Sequence, residues 1–148
     1  MGGAEFSLSS ESIDTQRLGT ELADEASGAL VVFEGRVRNS NEGRPVTGLD
    51  YEAYETLALS EGAAIVAQAR ERFPILRARC VHRVGSLEIG EVAVWVGVIA
   101  GHRGEAFDAC RYIIDEVKER VPIWKKEHYA DGDSIWLEGE ADEQSSRR

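Results

Sequence analysis

The stretch Glu91-Val-Ala-Val-Trp-Val-Gly-Val-Ile-Ala100 is the most hydrophobic in the chain, and it predicts a central β-strand. A short link, Gly101 to Gly104, joins it to the clearest helical pattern in the sequence. There Ala106, Phe107, Ala109, Cys110, Ile113, Ile114, Val117 and Val121 recur at helical spacing and predict one apolar stripe. Pro122 must stop that helix, because proline lacks an N–H and its ring clashes with the preceding turn. A buried strand feeding a helix of fixed length is the frame around which the remaining segments have to pack.

Those segments alternate in type. Glu5 to Leu8 reads as a short edge strand, and Ser10 or Ser12 is expected to cap a short helix carrying Ile13, Leu18 and Leu22. Ala29 to Arg38 reads as a well-buried strand that delivers Arg36 and Arg38 on one face and Val37 on the other. Asn39 to Pro45 is the most loop-like stretch and is expected to be mobile. Val46 to Tyr54 alternates as a half-buried strand, most simply antiparallel to the one before it. Thr56 is expected to cap a helix reaching Arg72, with Ala58, Gly62, Ile65, Val66, Ala69 and Phe73 on its apolar face and Pro74 ending it. Arg77 to Val84 reads as a strand, Gly85 to Gly90 as a turn, and Ser134 to Glu138 as a last strand. The expected fold is α+β, a single domain over 1–148 with a mostly antiparallel sheet and about three helices. Its ordered core is expected over 5–140, with a disordered tail over 139–148.

Composition closes off several functions. The formal net charge of −10 argues against a nucleic-acid surface and against attachment to an anionic membrane. No apolar run approaches the roughly 20 residues of a membrane span. No signal peptide is visible, and Cys80 and Cys110 fall in apolar-periodic segments as free thiols, so a cytoplasmic location is expected. His82, His102 and His128 are far apart and never pair with a cysteine at ligand spacing, so no metal site is expected. His82 itself reads as structural. No nucleophile elbow, P-loop or dinucleotide fingerprint occurs, and no cofactor is expected.

What stands out is positive charge in an acidic chain. Lys118, Arg120, Lys125 and Lys126 crowd the ten residues from Lys118 to Glu127, on both sides of Pro122. A solvated helix end accounts for such a cluster by itself, since basic residues favour the C-terminal turn. Two further cationic pairs change the balance: Arg36 with Arg38 at a strand end, and His102 with Arg103 before a helix N-terminus, where free N–H groups favour anions. Arginine forks match phosphate oxygens, and one amine among several cations can serve as base or nucleophile. Placement at element ends, rather than mid-face, points to an anion-binding active site. A docking module for an anionic peptide terminus or phosphate and a small phosphoesterase are the rival readings, the second disfavoured by the missing metal ligands.

Taken in order, these residues resemble the MoaE family, the large catalytic subunits of molybdopterin synthase. The resemblance rests on Phe33 to Arg38 and the Asn-rich loop after it, on Val81 to Leu87, on Val96 to Arg103, and on Ala106-Phe107 with Ile113 to Asp115. It rests above all on Lys118, Pro122, Trp124, Lys125, Lys126 and Glu127. It covers roughly residues 5–140. Gly101 and Ile123 depart from the residues expected at their positions.

The resemblance implies a hammerhead-type α/β fold and a homodimer flanked by two copies of a small ubiquitin-like sulfur carrier, a heterotetramer. The carrier's C-terminal Gly-Gly thiocarboxylate would enter a pocket and donate sulfur, in two rounds, to cyclic pyranopterin monophosphate. The product is the dithiolene of molybdopterin, in molybdenum cofactor biosynthesis. Carried over by position, Lys118 and Lys125 are the catalytic lysines. Arg38, His102 and Arg103 bind the substrate phosphate, with Arg38 a candidate for supply by the other protomer, and Arg36, Val37, Lys126 and Glu127 line the pocket.

Overall fold

The computed structural model describes residues 5–137; the expected tail over 139–148 and the end of the last expected strand at Glu138 lie outside them. Nine strands and three helices follow in the order β1 (Phe6–Ser9), α1 (Thr15–Glu21), β2 (Ala29–Arg36), β3 (Ser40–Asn41), β4 (Arg44–Ala53), α2 (Glu55–Arg72), β5 (Ile75–Arg83), β6 (Gly85–Glu88), β7 (Val92–Ala100), α3 (Arg103–Arg120), β8 (Ile123–Tyr129) and β9 (Ser134–Leu137). They form an α+β fold with two sheets. One has the order β1-β5-β7-β2, with only β1 and β5 parallel, and the other runs β3-β4-β8-β9 with β6 also on β4.

The strand from Val92 to Ala100 is central, as expected, because both of its faces are covered. Val94, Val96, Val98 and Ala100 join the main core, with Ile65, Val66 and Ala69 of α2 and Ala109, Ile113 and Val117 of α3. Trp95 and Ile99 point the other way and pack with Leu18 and Leu22 of α1. Gly97 sits between them because any Cβ there would overlap the Trp95 ring. Helix α3 ends at Arg120 with Val121 as its cap, as Pro122 requires.

Several expectations change. Strand β2 is the outer strand of its sheet rather than a well-buried one, and Leu30 and Val32 are 49% and 41% exposed. An apolar run reads the same whether neighbouring strands cover it or nothing in the chain does. The strand stops at Arg36, where a bulge shifts its register on β7. Strand β4 therefore pairs with β8, β6 and β3, and not with β2. The stretch expected to be a mobile loop is a tight hairpin. Ser40 and Asn41 pair with Pro45 and Arg44, and Glu42 and Gly43 take φ of 51° and 84°, the two successive positive values that a short hairpin turn needs.

Residues Gly85 to Glu88 likewise form a strand on β4 instead of a turn. The helix caps move too: Asp14, not Ser10 or Ser12, accepts from the Arg17 amide, and α2 starts after Tyr54 without a side-chain cap, leaving Thr56 inside the helix. Phe107 leaves the apolar stripe and stands 59% exposed. Among the described residues no helix is long and apolar enough to cross a membrane.

Candidate active site

Helix α3 and strand β8 are separated by only Val121 and Pro122. The Pro122 carbonyl accepts from the Tyr54 amide at 3.2 Å, which ties the junction to the end of β4. Lys118 lies on the last turn of α3, where its stem borders a small cavity of about 20 Å³ lined also by Tyr51, His82, Val94, Ile114 and Ile123. On β8 the side chains alternate, with Ile123, Lys125 and Glu127 buried and Trp124 and Lys126 half-buried on the other side. Lys125 pairs directly opposite Tyr51, and opposed residues share a face. Lys118 borders the cavity that Tyr51 lines, and Lys125 sits opposite Tyr51 on the paired strand, so Tyr51 is the neighbour common to both lysines.

Lys125 is 5% exposed, and its Nζ lies 3.7 Å from Oε2 of Glu127. The other oxygen of Glu127 accepts from Asn41 Nδ2 at 2.8 Å and from Tyr129 Oη at 2.6 Å. A buried carboxylate is tolerable only with such compensation. Burial, reinforced by the bond to Glu127, raises the Tyr129 phenol above its ordinary pKa, so it stays a protonated donor.

Lys118 also borders a second, larger hollow of about 410 Å³ between β2 and α3, where Val32, Phe33, Phe107, Cys110 and Ile114 make the walls mainly apolar. The groove leads along the outer strand to the lysine. Neither cysteine is a nucleophile here: burial pushes Cys110 up to about 11 and Cys80 higher still, so both remain thiols.

The remaining candidates divide by location. Arg36 and Arg38 are exposed on either side of buried Val37, whose amide donates to the Glu91 carbonyl at 3.0 Å. Arg36 also pairs with Glu34 at 2.7 Å. This end of β2 lies beside Val92, and the other end lies beside Ala100. Because α3 starts just after Ala100, His102 and Arg103 sit at the far end of the strand pair. The seven residue steps from Ala29 to Arg36 span roughly 23 Å at strand rise, more than an arginine at each end can close on one phosphate. One chain therefore does not bring Arg38 together with His102 and Arg103.

His102 is 86% exposed, 3.7 Å from Glu105, and caps α3 with backbone only, leaving the helix N-terminus open to an anion. Lys126 faces away from Lys125, with its amine 5.4 Å from the Trp136 ring centre, on the side of Asp50 and His128. Among the described residues no cluster of histidine, cysteine and acidic side chains could hold a metal ion.

Sequence reasoning missed two contributors. His82 reads as a structural strand histidine, yet it lines the cavity beside Lys118. Its Nδ1 lies 2.8 Å from the Arg83 carbonyl, which fixes Nδ1 as the protonated nitrogen, and its ring meets Tyr51 edge-on at 4.8 Å. Tyr51 reads only as a buried strand residue. Alternation carries both, but it cannot separate a cavity wall from a core.

A family model described as MoaE protein matches residues 8–120. The molybdopterin synthase catalytic subunit of a Nostoc species is 41% identical over 143 residues, covering 96% of this chain and 87% of that one. Its counterpart from Pyrococcus abyssi is 47% identical over 119 residues, covering 80% of each chain. Among solved structures, molybdopterin synthase from Staphylococcus aureus superposes with a TM-score of 0.83 at 39% identity, covering 93% of this chain and 98% of that one. A family match over most of the chain, joined by relatives of this identity along nearly its full length, has one consequence: this chain belongs to the MoaE family.

Proposed function

We propose that this chain is the catalytic subunit of a molybdopterin synthase and acts as a sulfurtransferase. It takes sulfur from the thiocarboxylated C-terminus of a small ubiquitin-like carrier and delivers it, in two rounds, to cyclic pyranopterin monophosphate. The observation that carries this reading is the convergence of Lys118 and Lys125 on Tyr51 from two rigid elements joined at Pro122. The Lys118 amine, bordering a mainly apolar groove, suits an extended small-residue tail that ends in an anion. As charge develops on the terminal carbonyl, a preorganised ammonium stabilises it without solvent reorganisation. Each round forms a carbon–sulfur bond on the pterin in place of a carbon–oxygen bond there, and water hydrolyses the carrier's acyl–sulfur bond so that the carrier leaves as a carboxylate.

The phosphate requires a second copy of the chain. Lys118 and Arg38 share one end of the α3–β2–β7 unit, and His102 with Arg103 holds the other. In a homodimer the open N-terminus of the partner's α3 supplies the second cationic pair, so His102 and Arg103 act in trans and Arg38 in cis. The sequence-based candidate, Arg38 in trans, is the alternative that complementation separates from it.

Lys118→Ala is expected to abolish dithiolene formation from thiocarboxylated carrier and pyranopterin substrate, with fold and carrier binding retained. A wild-type protein that binds carrier and yields no dithiolene would instead establish the docking-module reading.

A further inference from the structure

The chain of buried polar groups behind Lys125 has no counterpart in the reaction as described so far. Asn41 and Glu127 are 8% and 4% exposed, and Tyr129 is 6% exposed. Both Asn41 Nδ2 and Tyr129 Oη donate to the same oxygen, Oε1, and Asn41 Nδ2 also reaches Tyr129 Oη at 3.2 Å. Asn41 is set by the hairpin that closes at Glu42 and Gly43. Tyr129 is held from behind, because the Arg44 guanidinium stacks 3.9 Å from its ring centre and bonds Asp131 at 2.8 Å and Asp133 at 3.0 Å.

The geometry at the other oxygen is unusual for a buried pair. At 3.7 Å, Lys125 Nζ and Glu127 Oε2 are close enough for attraction and too far for a hydrogen bond. An unrestrained carboxylate beside a buried ammonium closes to about 2.8 Å, where charge-assisted bonds are strongest. Two donors on Oε1 oppose that rotation.

We propose that Asn41 and Tyr129 are positioning residues for Lys125, holding Glu127 so that its second oxygen attracts the ammonium without capturing it. The amine then keeps its place on the strand face that Lys125 shares with Tyr51. This rests on the reading of Lys125 as a group that acts in sulfur transfer. Loss of either donor frees Glu127 to swing onto the lysine and withdraw it.

The test uses the full chain with thiocarboxylated carrier and cyclic pyranopterin monophosphate. Tyr129→Phe keeps the ring against Arg44 and removes one donor; it is expected to lower kcat roughly tenfold, the scale of one charge-assisted bond, with KM for both substrates unchanged. Asn41→Ala, which leaves Tyr129 whole, is expected to act in the same direction. In a Glu127→Gln background the amide has no charge with which to capture Lys125, so adding Tyr129→Phe is expected to change kcat no further. A role of Tyr129 that does not pass through Glu127 would instead make the two losses multiply. A wild-type kcat in Tyr129→Phe, or multiplying losses, would overturn the proposal. A crystal structure of Tyr129→Phe gives a readout independent of activity: the Lys125–Glu127 separation is expected to contract from 3.7 Å to about 2.8 Å, and an unchanged separation also overturns it. If the wild type transfers no sulfur at all, the functional reading falls while the contraction still decides the positioning claim.

Discussion

A site shared between protomers can be separated from a site within one chain by complementation. The variants are Lys118→Ala and the double change His102→Ala with Arg103→Ala. Sixteen residue steps separate His102 from Lys118, and at 1.5 Å per step they set the two groups roughly 24 Å apart along the axis of α3. Each variant alone is expected to be inactive, because every site in its homodimer lacks one component. When the two are mixed and exchanged, half of the dimers are mixed. Each mixed dimer holds one site with its own Lys118 and a partner's intact His102 and Arg103. Recovery of about a quarter of wild-type dithiolene formation follows from that counting. Native mass spectrometry reports whether exchange has occurred, so a failure to mix is not mistaken for a negative. Lys118→Ala mixed with Arg38→Ala is expected to recover nothing, since both residues come from the same protomer and each site of the mixed dimer then lacks one of them. Verified mixed dimers that stay inactive in the first pairing would refute the shared site, and recovery in the second would return Arg38 to the partner.

Two further outcomes follow from packing and charge. A Cβ at Gly62 of α2 would overlap the Phe6 ring, so Gly62→Ala is expected to destabilise by about 1–2 kcal/mol in urea melts, against the helix-propensity gain; equal or greater stability would contradict the packing. The Ser86 hydroxyl, ahead of His128 and Lys126, holds Asp50 below the usual carboxylate range, and the Glu88 amide, ahead of Arg83, does the same for Glu91. These carboxylates bind protons more weakly folded than unfolded. Their stabilisation is therefore complete above the ordinary carboxylate range and is lost as pH falls through their lowered values, so the thermal midpoint is expected to drop below about pH 4. Asp50→Asn should flatten that drop, and an unaltered slope would show that Asp50 is not responsible.

The legible parts of this fold are those in which one residue or one local pattern decides. The double-sided apolar run fixes β7, and Pro122 fixes the end of α3. Strand β4 reads as a partner of β2 because what sets its register, β8, lies far downstream and acts through pairs such as Tyr51 with Lys125. Strands β3 and β6 have two and four residues, too few for any period to show. The exposed faces of Leu30, Val32 and Phe107 misled for another reason: hydrophobicity reports that a surface wants cover, not whether this chain provides it. For the site, sequence supplied the cations and their placement at element ends. It could not show that α3 holds two of the cationic pairs apart, since separation along a helix becomes an obstacle only once the strands beside it are known to run the same length.

The same consideration explains why a proline belongs where it does. A helix end and a strand start separated by a flexible loop would let Lys118 and Lys125 sample many separations, and the entropy of bringing them together would be charged to every turnover. With only Val121 and Pro122 between the elements, and with the Pro122 carbonyl bound to the amide of Tyr54, the two lysines are fixed by the packing of α3 on one sheet and of β8 in the other. Tyr51, on the strand that β8 pairs with, meets His82 of the other sheet edge-on at 4.8 Å. The cationic cluster is thus a consequence of the fold's own seam: its geometry is as rigid as the contact between the two sheets, and a perturbation that loosens that contact reaches both amines together.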